Sequence, residues 1–397
     1  MARQPKLLYL VSEDWYFVSH RLSLAFTAKE AGFDVTVAAR VTHHGDDIRD
    51  AGLNLIPITL ARSSLDPLHE ARTISELNAV FARQKPDLVH NVALKPVIYG
   101  TWAARKAGVT GIVNALMGLG WVFSSNSPKA RVLRPFVRYG LRQALSAPGT
   151  RTIVQNADDA ALMADQQLAP RDSIRLIRGS GINPAEYATE DATVGVPLIV
   201  LPARLLIAKG VREFIAAAAL LKAEGVKARF ALVGEPDTDN PAAIPRQEIL
   251  DAVVSGIVEH WGWRRDMPQV FSEASFVCLP TFYGEGVPKA LIEAAASARA
   301  IIATDVPGCR EIVHPGENGW LVPPRDVPAL ATALRQAIAQ PGLCAEYGRR
   351  GRHIAERAFS LDSVIKETLA VYDELVSLPP AHLPDDMTNV VPLRRAS

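Results

Sequence analysis

The sequence predicts an α/β protein with two doubly wound halves, each built around a parallel sheet. Short apolar runs alternate with helical segments of about 10–15 residues, which is typical of repeated βαβ units. The alternation pauses once and then restarts, and the length of 397 residues suits two domains of about 100–200 residues. With 48% apolar and 21% charged residues, the chain has ample material for buried cores. A disordered or collagen-like chain is therefore excluded.

The first half contains a series of short apolar runs that are typical of buried strands. The predicted strands span 7–11, 34–39, 54–60, 87–92, 111–116 and 151–156. Helices are predicted over 21–31, ahead of Gly32, and over 70–84, where apolar residues recur at helical spacing. A long basic helix precedes the last of these strands. The order of elements predicts a parallel sheet with helical crossovers.

A polar segment at 184–197 separates the halves and predicts a linker. Beyond it, strands are predicted at 196–202, 228–234, 275–280 and 300–305. Helices are predicted at 211–223, 327–340 and 361–377, and another helix is predicted to end over 293–298. The predicted divisions are an N-terminal domain (1–187), a C-terminal domain (188–360), a closing helix (361–378) and a disordered tail (379–397). Because ligands bind at the carboxyl ends of parallel strands, we expect the active site in the cleft between the two domains.

Charge and cysteine content exclude several classes of protein. The irregular spacing of Cys278, Cys309 and Cys344 fits neither a disulfide framework nor a zinc site, which indicates a reducing, cytoplasmic compartment. No apolar run approaches the ~18 residues of a membrane helix, and the N-terminal run is too short for a signal peptide. The net charge of +1 argues against a nucleic-acid partner. Residues 1–150 nevertheless hold 18 Lys and Arg against 11 Asp and Glu, whereas the remainder holds 25 against 31.

The strongest local signal is GEGVPKALIE at 284–293, which follows a predicted buried strand and enters a helix. Glu285 is expected in the loop over the strand end, and Glu293 about two turns into the helix. The glycines let backbone amides approach a ligand, while carboxylates suit sugar hydroxyls better than phosphate. A solvated loop acid and a helix-face acid are the alternative interpretation.

A second signal is PARLLIAKGVREF, in which Arg204 and Lys209 stand between a strand and a helix. Two cations at a helix N-terminus oppose the helix dipole unless an anion lies between them, and a diphosphate fits best. Ordinary surface cations are the alternative. The acidic triplet at 237–239 resembles a metal motif of a different transferase fold, but two parallel sheets do not suit that fold, so we expect no metal. No G-x-G-x-x-G follows the first strand, which argues against a dehydrogenase.

Residues 196–330 resemble the donor half of family-4 glycosyltransferases of the GT-B fold, in which two Rossmann-like domains face a central cleft. The shared motifs are R-x4-K-G (204–210), VGEPD (233–237), EHWGWRRDMPQVF (259–271), E-x7-E (285–293) and VPGCREIVHPGENGWLVPP (306–324). Other segments resemble a subgroup acting on lipid-linked sugars in bacterial surface polysaccharide and protein-glycan assembly. These segments are DWYFVSHR (14–21), RSSLDP (62–67), MGLGWVF (117–123) and GSGIN (179–183).

The resemblance implies a retaining glycosyltransferase that uses no metal or cofactor, only a nucleotide-diphosphate sugar donor, most simply UDP-linked. Arg204 and Lys209 would hold the diphosphate and stabilise the leaving group, and Glu285 would hold the sugar and complete the catalytic set. The remaining donor-binding positions would be Gly210, Gly234, Trp263 near the base, Gly286 and Val287 at the sugar, and Glu293 at the ribose.

The implied acceptor is a glycan carried on a polyprenyl diphosphate. His20 and Arg21, at the start of the first helix, could reach the sugar or the acceptor phosphate. His90 and Lys95, near the end of the fourth strand, could face the same cleft. A helix-start histidine and a core histidine are the ordinary interpretations of His20 and His90.

Two other functions fit the same pattern of residues. A hydrolysing nucleotide-sugar epimerase shares the two-sheet architecture, and a non-catalytic sugar-nucleotide-binding subunit of an assembly complex would share the fold. A pure scaffold has no need of Arg204, Lys209, Glu285 and Glu293 together, which favours an enzyme.

Residues 127–146 predict a basic amphipathic helix with five cations and no acid. Four arginines recur at intervals of three or four residues, so they share one helical face. Such helices bind anionic membrane surfaces, which predicts peripheral attachment to the inner face of the cytoplasmic membrane. A packed helix with a solvated basic face is the alternative.

Overall fold

The computed structural model describes residues 3–61, 64, 66–118, 123, 128–187, 195–237, 240, 242–282 and 284–376. The chain divides into two compact units, one from the N-terminus to Ser180 together with the segment from Asp362, and one from Gly181 to Leu361. This division precedes the predicted boundary after residue 187. Most of the predicted linker (188–194), the predicted tail (379–397) and residue 127 lie outside the described residues.

The first unit is built on a parallel sheet of seven strands. They are β1 (Lys6–Glu13), β2 (Asp34–Arg40), β3 (Asn54–Pro57), β4 (Leu88–Val92), β5 (Gly111–Leu116), β6 (Thr150–Val154) and β7 (Ile174–Leu176). Their order is β3-β2-β1-β4-β5-β6-β7, and each neighbouring pair runs parallel. The sequence winds outward from β1 in both directions, as predicted for a doubly wound sheet.

Helices connect these strands. They are α1 (Asp14–His20), α2 (Leu22–Glu30), α3 (Gly45–Asp50), α4 (Pro67–Gln84), α5 (Leu94–Lys106), α6 (Pro128–Leu145) and α7 (Ala157–Asp165). The sequence does not predict α1, because its first residue, Asp14, is held by hydrogen bonds from residues about 30 positions later in the chain. Asp14 is fully buried and accepts hydrogen bonds from the backbone amides of Thr42, His43 and His44, at 2.7, 3.0 and 2.8 Å.

The second unit has a parallel sheet of its own. Its strands are β8 (Leu198–Pro202), β9 (Arg229–Val233), β10 (Glu259–Gly262), β11 (Phe276–Leu279), β12 (Ala300–Thr304) and β13 (Gly319–Val322). Their order is β10-β9-β8-β11-β12-β13. Along β8, Ile199 and Leu201 pack into one core while Leu198 and Val200 pack into another. This alternation buries both faces of the sheet, as parallel sheets require.

Helices cover both faces of the second sheet. They are α8 (Val211–Ala223), α9 (Arg246–Val254), α10 (Met267–Glu273), α11 (Lys289–Ala296), α12 (Pro307–Arg310), α13 (Val327–Ala339) and α14 (Pro341–Ala358). Tyr187, which falls in the predicted linker, is buried in a core cluster of this unit. The linker prediction is therefore wrong for Tyr187, because its ring is part of the second hydrophobic core.

The last helix, α15 (Leu361–Asp373), belongs from Asp362 onward to the first unit. The Tyr372 hydroxyl lies 2.7 Å from the Tyr9 hydroxyl on β1 and 2.6 Å from Nδ1 of His90 on β4. All three side chains are buried. Helix α15 thus completes the core of the first sheet, on contacts with β1 and β4.

Candidate active site

The residues singled out in the second half gather at the carboxyl ends of β8, β9 and β11. Arg204 lies two residues beyond β8, and Lys209 ends a short 3-10 turn that leads into α8. Glu285 lies in the segment between β11 and α11. Because these strands are adjacent and parallel, their carboxyl ends meet at one edge of the sheet.

Two glycines let the backbone of this edge pack closely. Gly210 has a φ of 76°, and a Cβ there would lie 2.1 Å from the carbonyl oxygen of Pro280. Gly234 has a φ of 143°, and a Cβ there would lie 2.0 Å from the carbonyl oxygen of Ala203. Only glycine fits either position without moving the neighbouring strand end.

Lys209 and Glu285 form an ion pair at this edge. Lys209 Nζ lies 2.5 Å from Glu285 Oε2, and both side chains are mostly buried, at 16% and 19% exposure. The Thr281 hydroxyl lies 3.0 Å from the second carboxylate oxygen. The ammonium is therefore held at the entrance to α8, where the partial positive charge of the helix N-terminus also acts.

Arg204 forms a second ion pair, with a residue that the sequence analysis did not place in the site. Its guanidinium NH1 lies 2.5 Å from Oδ2 of Asp237, which follows β9 and Gly234. Asp237 opens the acidic triplet considered above as a metal motif, and the other two triplet residues lie outside the described residues. The VGEPD motif marked this loop, but nothing in the sequence paired its acid with Arg204.

Glu293 is the fifth residue of α11, about one turn from the helix start instead of the predicted two, because the helix begins only at Lys289. The Tyr187 hydroxyl donates to Glu293 Oε1 at 3.0 Å, and Lys289 Nζ lies 3.6 Å from the same oxygen. Burial and the neighbouring Glu293 carboxylate raise the pKa of Tyr187 well above its usual value. Tyr187 therefore remains a neutral donor that orients the Glu293 carboxylate.

The remaining predicted donor positions differ in exposure. Val287 is buried beside the core, and Gly286 lies so close to the start of α12 that a Cβ on Gly308 would overlap its carbonyl oxygen. Trp263, just beyond β10, is 59% exposed, and the guanidinium of Arg265 lies 5.0 Å from its ring centroid. The Trp263 ring thus presents an aromatic surface near the strand ends, which suits the predicted role beside a base.

The first unit places His20 and Arg21 where α1 meets α2. Arg21 is only 4% exposed and donates to the His20 carbonyl and the Met117 sulfur. Within the described residues its Nε has no hydrogen-bond partner, and its other two guanidinium nitrogens contact a carbonyl oxygen and a sulfur, not a carboxylate. His20 stacks on Tyr16 with ring centroids 4.2 Å apart.

The structure does not bring His90 or Lys95 to a binding surface. His90 lies within β4, is 1% exposed and bonds to Tyr372, so the prediction of a strand-end histidine facing a cleft is wrong. Lys95 Nζ contacts the carbonyl oxygens of Ala61 and Ser64 and a carboxylate oxygen of Glu70, at 2.6–2.9 Å. Its three N–H groups are occupied within the unit, so this geometry contradicts an acceptor-binding role for Lys95.

Neither a metal site nor a membrane span emerges in the described part of the chain. No group of three or more His, Cys, Asp or Glu side chains there has the arrangement to hold a metal ion. No helix there is both long enough and apolar enough to cross a bilayer.

Comparison with known proteins supports the fold and the class of enzyme. A family model described as "Glycosyl transferases group 1" matches residues 196–340, and one described as "Glycosyl transferase 4-like" matches residues 6–146. A curated relative, the N,N'-diacetylbacillosaminyl-diphospho-undecaprenol alpha-1,3-N-acetylgalactosaminyltransferase of Campylobacter jejuni, is 26% identical over 371 residues. The match covers 90% of this chain and 95% of the relative.

Solved structures share the architecture. Sucrose-phosphate synthase from Thermosynechococcus elongatus matches with a TM-score of 0.78 and 20% identity, covering 94% of this chain and 99% of that one. Anabaena HepE in complex with UDP and glucose matches with a TM-score of 0.73 and 17% identity, covering 94% and 100%.

Two parallel-sheet α/β domains of this kind define the GT-B class of glycosyltransferases. Since the two family models together span most of both domains, the chain belongs to family 4 of these enzymes. The predicted fold, family and enzyme class are confirmed.

Proposed function

We propose that the enzyme transfers a hexose or N-acetylhexosamine from a UDP-sugar to a glycan on a polyprenyl diphosphate, with retention of configuration and without a metal. The observation that carries this proposal is the pair of cations, Arg204 and Lys209, at the entrance to α8. A diphosphate is the ligand whose charge and geometry match two such cations beside a helix N-terminus.

The named relatives support the donor and acceptor classes. The Campylobacter relative transfers N-acetylgalactosamine to a sugar on diphospho-undecaprenol, and HepE binds UDP and glucose. This chain matches the first of these proteins over nearly its whole length, which favours a lipid-diphosphate acceptor here.

In the proposed reaction, the acceptor oxygen bonds to the anomeric carbon of the donor while the bond from that carbon to the diphosphate oxygen breaks. The acceptor proton passes to the departing phosphate oxygen on the same face. Lys209 and Arg204 stabilise the charge that develops on the diphosphate, so two protein cations replace a metal in this role. Glu293, held by Tyr187, binds the ribose hydroxyls, and Glu285 orients Lys209 and contacts the donor sugar.

The test replaces Lys209 with methionine, which removes the charge but keeps an unbranched side chain. Losing one charge-stabilising donor costs about 2.7–4 kcal/mol, so turnover should fall about 10²–10³-fold. Lys222→Met is the matched control, because Lys222 lies at the opposite end of the same helix and bonds only to the carbonyls of Ser255 and Gly256. Near-normal turnover of Lys209→Met at saturating donor would refute the assignment.

Product analysis separates this reaction from that of an epimerase. We expect UDP to form from a UDP-sugar only when a lipid-linked acceptor is present. Release of UDP and a new free sugar from the donor alone would identify a hydrolysing epimerase instead.

For the acceptor, the structure favours Arg21 over His90 and Lys95. Arg21 is a buried cation without a carboxylate partner in the described residues, at the carboxyl end of the first sheet beside Met117. Because an uncompensated buried charge is costly, an anion that binds near this guanidinium gains more binding free energy than one that binds a solvated arginine. We assign Arg21 to the acceptor diphosphate, with the adjacent His20 at its edge.

The helix α6 supports attachment to an anionic membrane surface. Val132, Phe136 and Tyr139 follow one another at helical spacing and are 66%, 74% and 66% exposed. The exposed arginines of the helix lie along one side of this apolar stripe, and the opposite side is buried through Leu141 and Ala144. An exposed aromatic stripe bordered by cations and free of acids fits the boundary of an anionic bilayer. We therefore propose that the enzyme works at the cytoplasmic face of the membrane that holds its acceptor lipid.

Vesicle co-sedimentation tests this attachment. Replacing Arg131, Arg138 and Arg142 with glutamine should lower binding to phosphatidylglycerol vesicles about 100-fold, since each cation near the surface contributes about 1 kcal/mol. The matched control replaces three exposed arginines of α4 and α5 with glutamine, namely Arg72, Arg83 and Arg105. Equal loss in both variants, or no loss in either, would contradict a specific role for α6.

A further inference from the structure

The Arg204–Asp237 pair places a carboxylate on one of the two cations that the diphosphate needs. The two groups approach to 2.5 Å, with side-chain exposures of 39% for Arg204 and 22% for Asp237. Asp237 belongs to a different strand end, since it follows β9 whereas Arg204 follows β8. The contact therefore joins two loops across the site edge.

The ion pairs of Lys209 and Arg204 differ in whether the carboxylate has a role beside the bound donor. Glu285 has an assigned place beside the donor sugar, so its pairing with Lys209 is compatible with an occupied site. Asp237 has no such place, and its negative charge beside a bound diphosphate would be repulsive. A carboxylate and a diphosphate therefore compete for the Arg204 guanidinium, and the diphosphate, with its greater charge, wins when present.

We propose that Asp237 is an internal anion that occupies Arg204 when the site is empty and is displaced by the diphosphate of the donor. This inference rests on the proposed function, because it takes the diphosphate to bind at Arg204. Its consequence is kinetic as well as energetic. Asp237 weakens binding of the nucleoside diphosphate and, by reclaiming Arg204, accelerates release of the product after transfer.

The experiment compares Asp237→Asn with the wild-type enzyme by calorimetric titration with UDP and, separately, with inorganic pyrophosphate. The amide keeps the size of the side chain and removes its charge, so we expect both ligands to bind about three- to tenfold more tightly. Dissociation of UDP, followed by stopped-flow displacement, should slow by a comparable factor. A merely structural role for Asp237 would instead weaken binding.

Two further variants isolate the contact from the general field of the protein. Glu235→Gln is the matched control, because Glu235 lies in the same loop and carries the same charge but lies near Arg246 and His260, at 3.7 and 3.9 Å. It should change UDP affinity less than twofold. In an Arg204→Ala background, Asp237→Asn should no longer tighten binding, since the guanidinium for which Asp237 and the diphosphate compete is absent.

The outcomes separate this inference from the proposed function. If UDP binds the wild type and Asp237→Asn leaves its affinity unchanged or lowers it, the inference is overturned while the donor assignment stands. If Asp237→Asn binds pyrophosphate more tightly but neither form binds UDP, the competition at Arg204 is supported and the assignment of UDP as the donor nucleotide is refuted. Failure of UDP and pyrophosphate to bind either form would overturn both. Equal tightening of UDP binding in the Arg204→Ala background would also overturn the inference, because the charge of Asp237 would then act at long range and not through Arg204.

Discussion

The buried imidazole of His90 predicts that the first unit loses stability in mild acid. Its Nδ1 lies 2.6 Å from the Tyr372 hydroxyl, which in turn lies 2.7 Å from the Tyr9 hydroxyl. Burial, reinforced by the charge of Arg21, holds the pKa of His90 well below its usual value. The folded state therefore keeps His90 neutral at a pH where the unfolded chain protonates it.

The sign and size of the effect follow from this difference in proton binding. Below about pH 6.5 the unfolded state binds one proton more than the folded state, so the free energy of unfolding falls as the pH falls. The limiting slope is about 1.4 kcal/mol per pH unit, and between pH 7 and pH 5.5 the loss amounts to about 1.3 kcal/mol. The stability is regained as the pH rises through 6.5.

Hydrogen exchange of peptides from β1, β4 and α15 measures this loss within the first unit, without requiring the whole chain to unfold as one. The comparison variant is His90→Asn, whose amide can occupy the Nδ1 position but does not titrate. The wild type should lose about 1.3 kcal/mol more than this variant between pH 7 and pH 5.5. Parallel pH profiles for the two proteins would refute the assignment of the titration to His90.

Three further changes test the geometry elsewhere. Tyr187→Phe removes the donor to Glu293, so the KM for the sugar nucleotide should rise about tenfold with kcat within about twofold in steady-state assays, and an unchanged KM would contradict the positioning role. Asp14→Ala orphans the backbone amides of the loop after β2 and should lower the free energy of unfolding in urea by at least about 2 kcal/mol; a smaller loss would mean that water replaces the carboxylate. Gly210→Ala combines a left-handed φ with a contact to Pro280, so the melting temperature should fall clearly, and an unchanged value would show that the loop can move.

The central strands were predictable from sequence, whereas the edge strands were missed or were given the wrong bounds. The strands β7 and β10 lie at sheet edges and are only half-buried, so neither forms a continuous apolar run. The other edge strand of the first sheet, β3, is shorter than predicted, because Pro57 ends the pairing before the apolar run does. Central strands such as β5 are buried on both faces and match their apolar runs to the residue.

The site residues were likewise predictable where a local sequence pattern places them, and not where a contact from a distant part of the chain does. Arg204, Lys209 and Glu285 follow strong strand patterns, so their placement at one sheet edge follows from the order of elements. His90 also belongs to a strand, but its contact with Tyr372 comes from the far end of the chain and reverses its interpretation. Asp237 was missed for the same reason, because a pairing between two loops leaves no local pattern.

The contact between Tyr9 and Tyr372 joins residues 363 positions apart in the sequence. During synthesis, the N-terminal sheet emerges from the ribosome long before the helix that completes its core. The sheet must therefore wait for the entire second unit to be made before its buried hydroxyls find their partner. A ribosome that stalls ahead of Tyr372 therefore leaves the buried polar groups of Tyr9 and His90 without this partner.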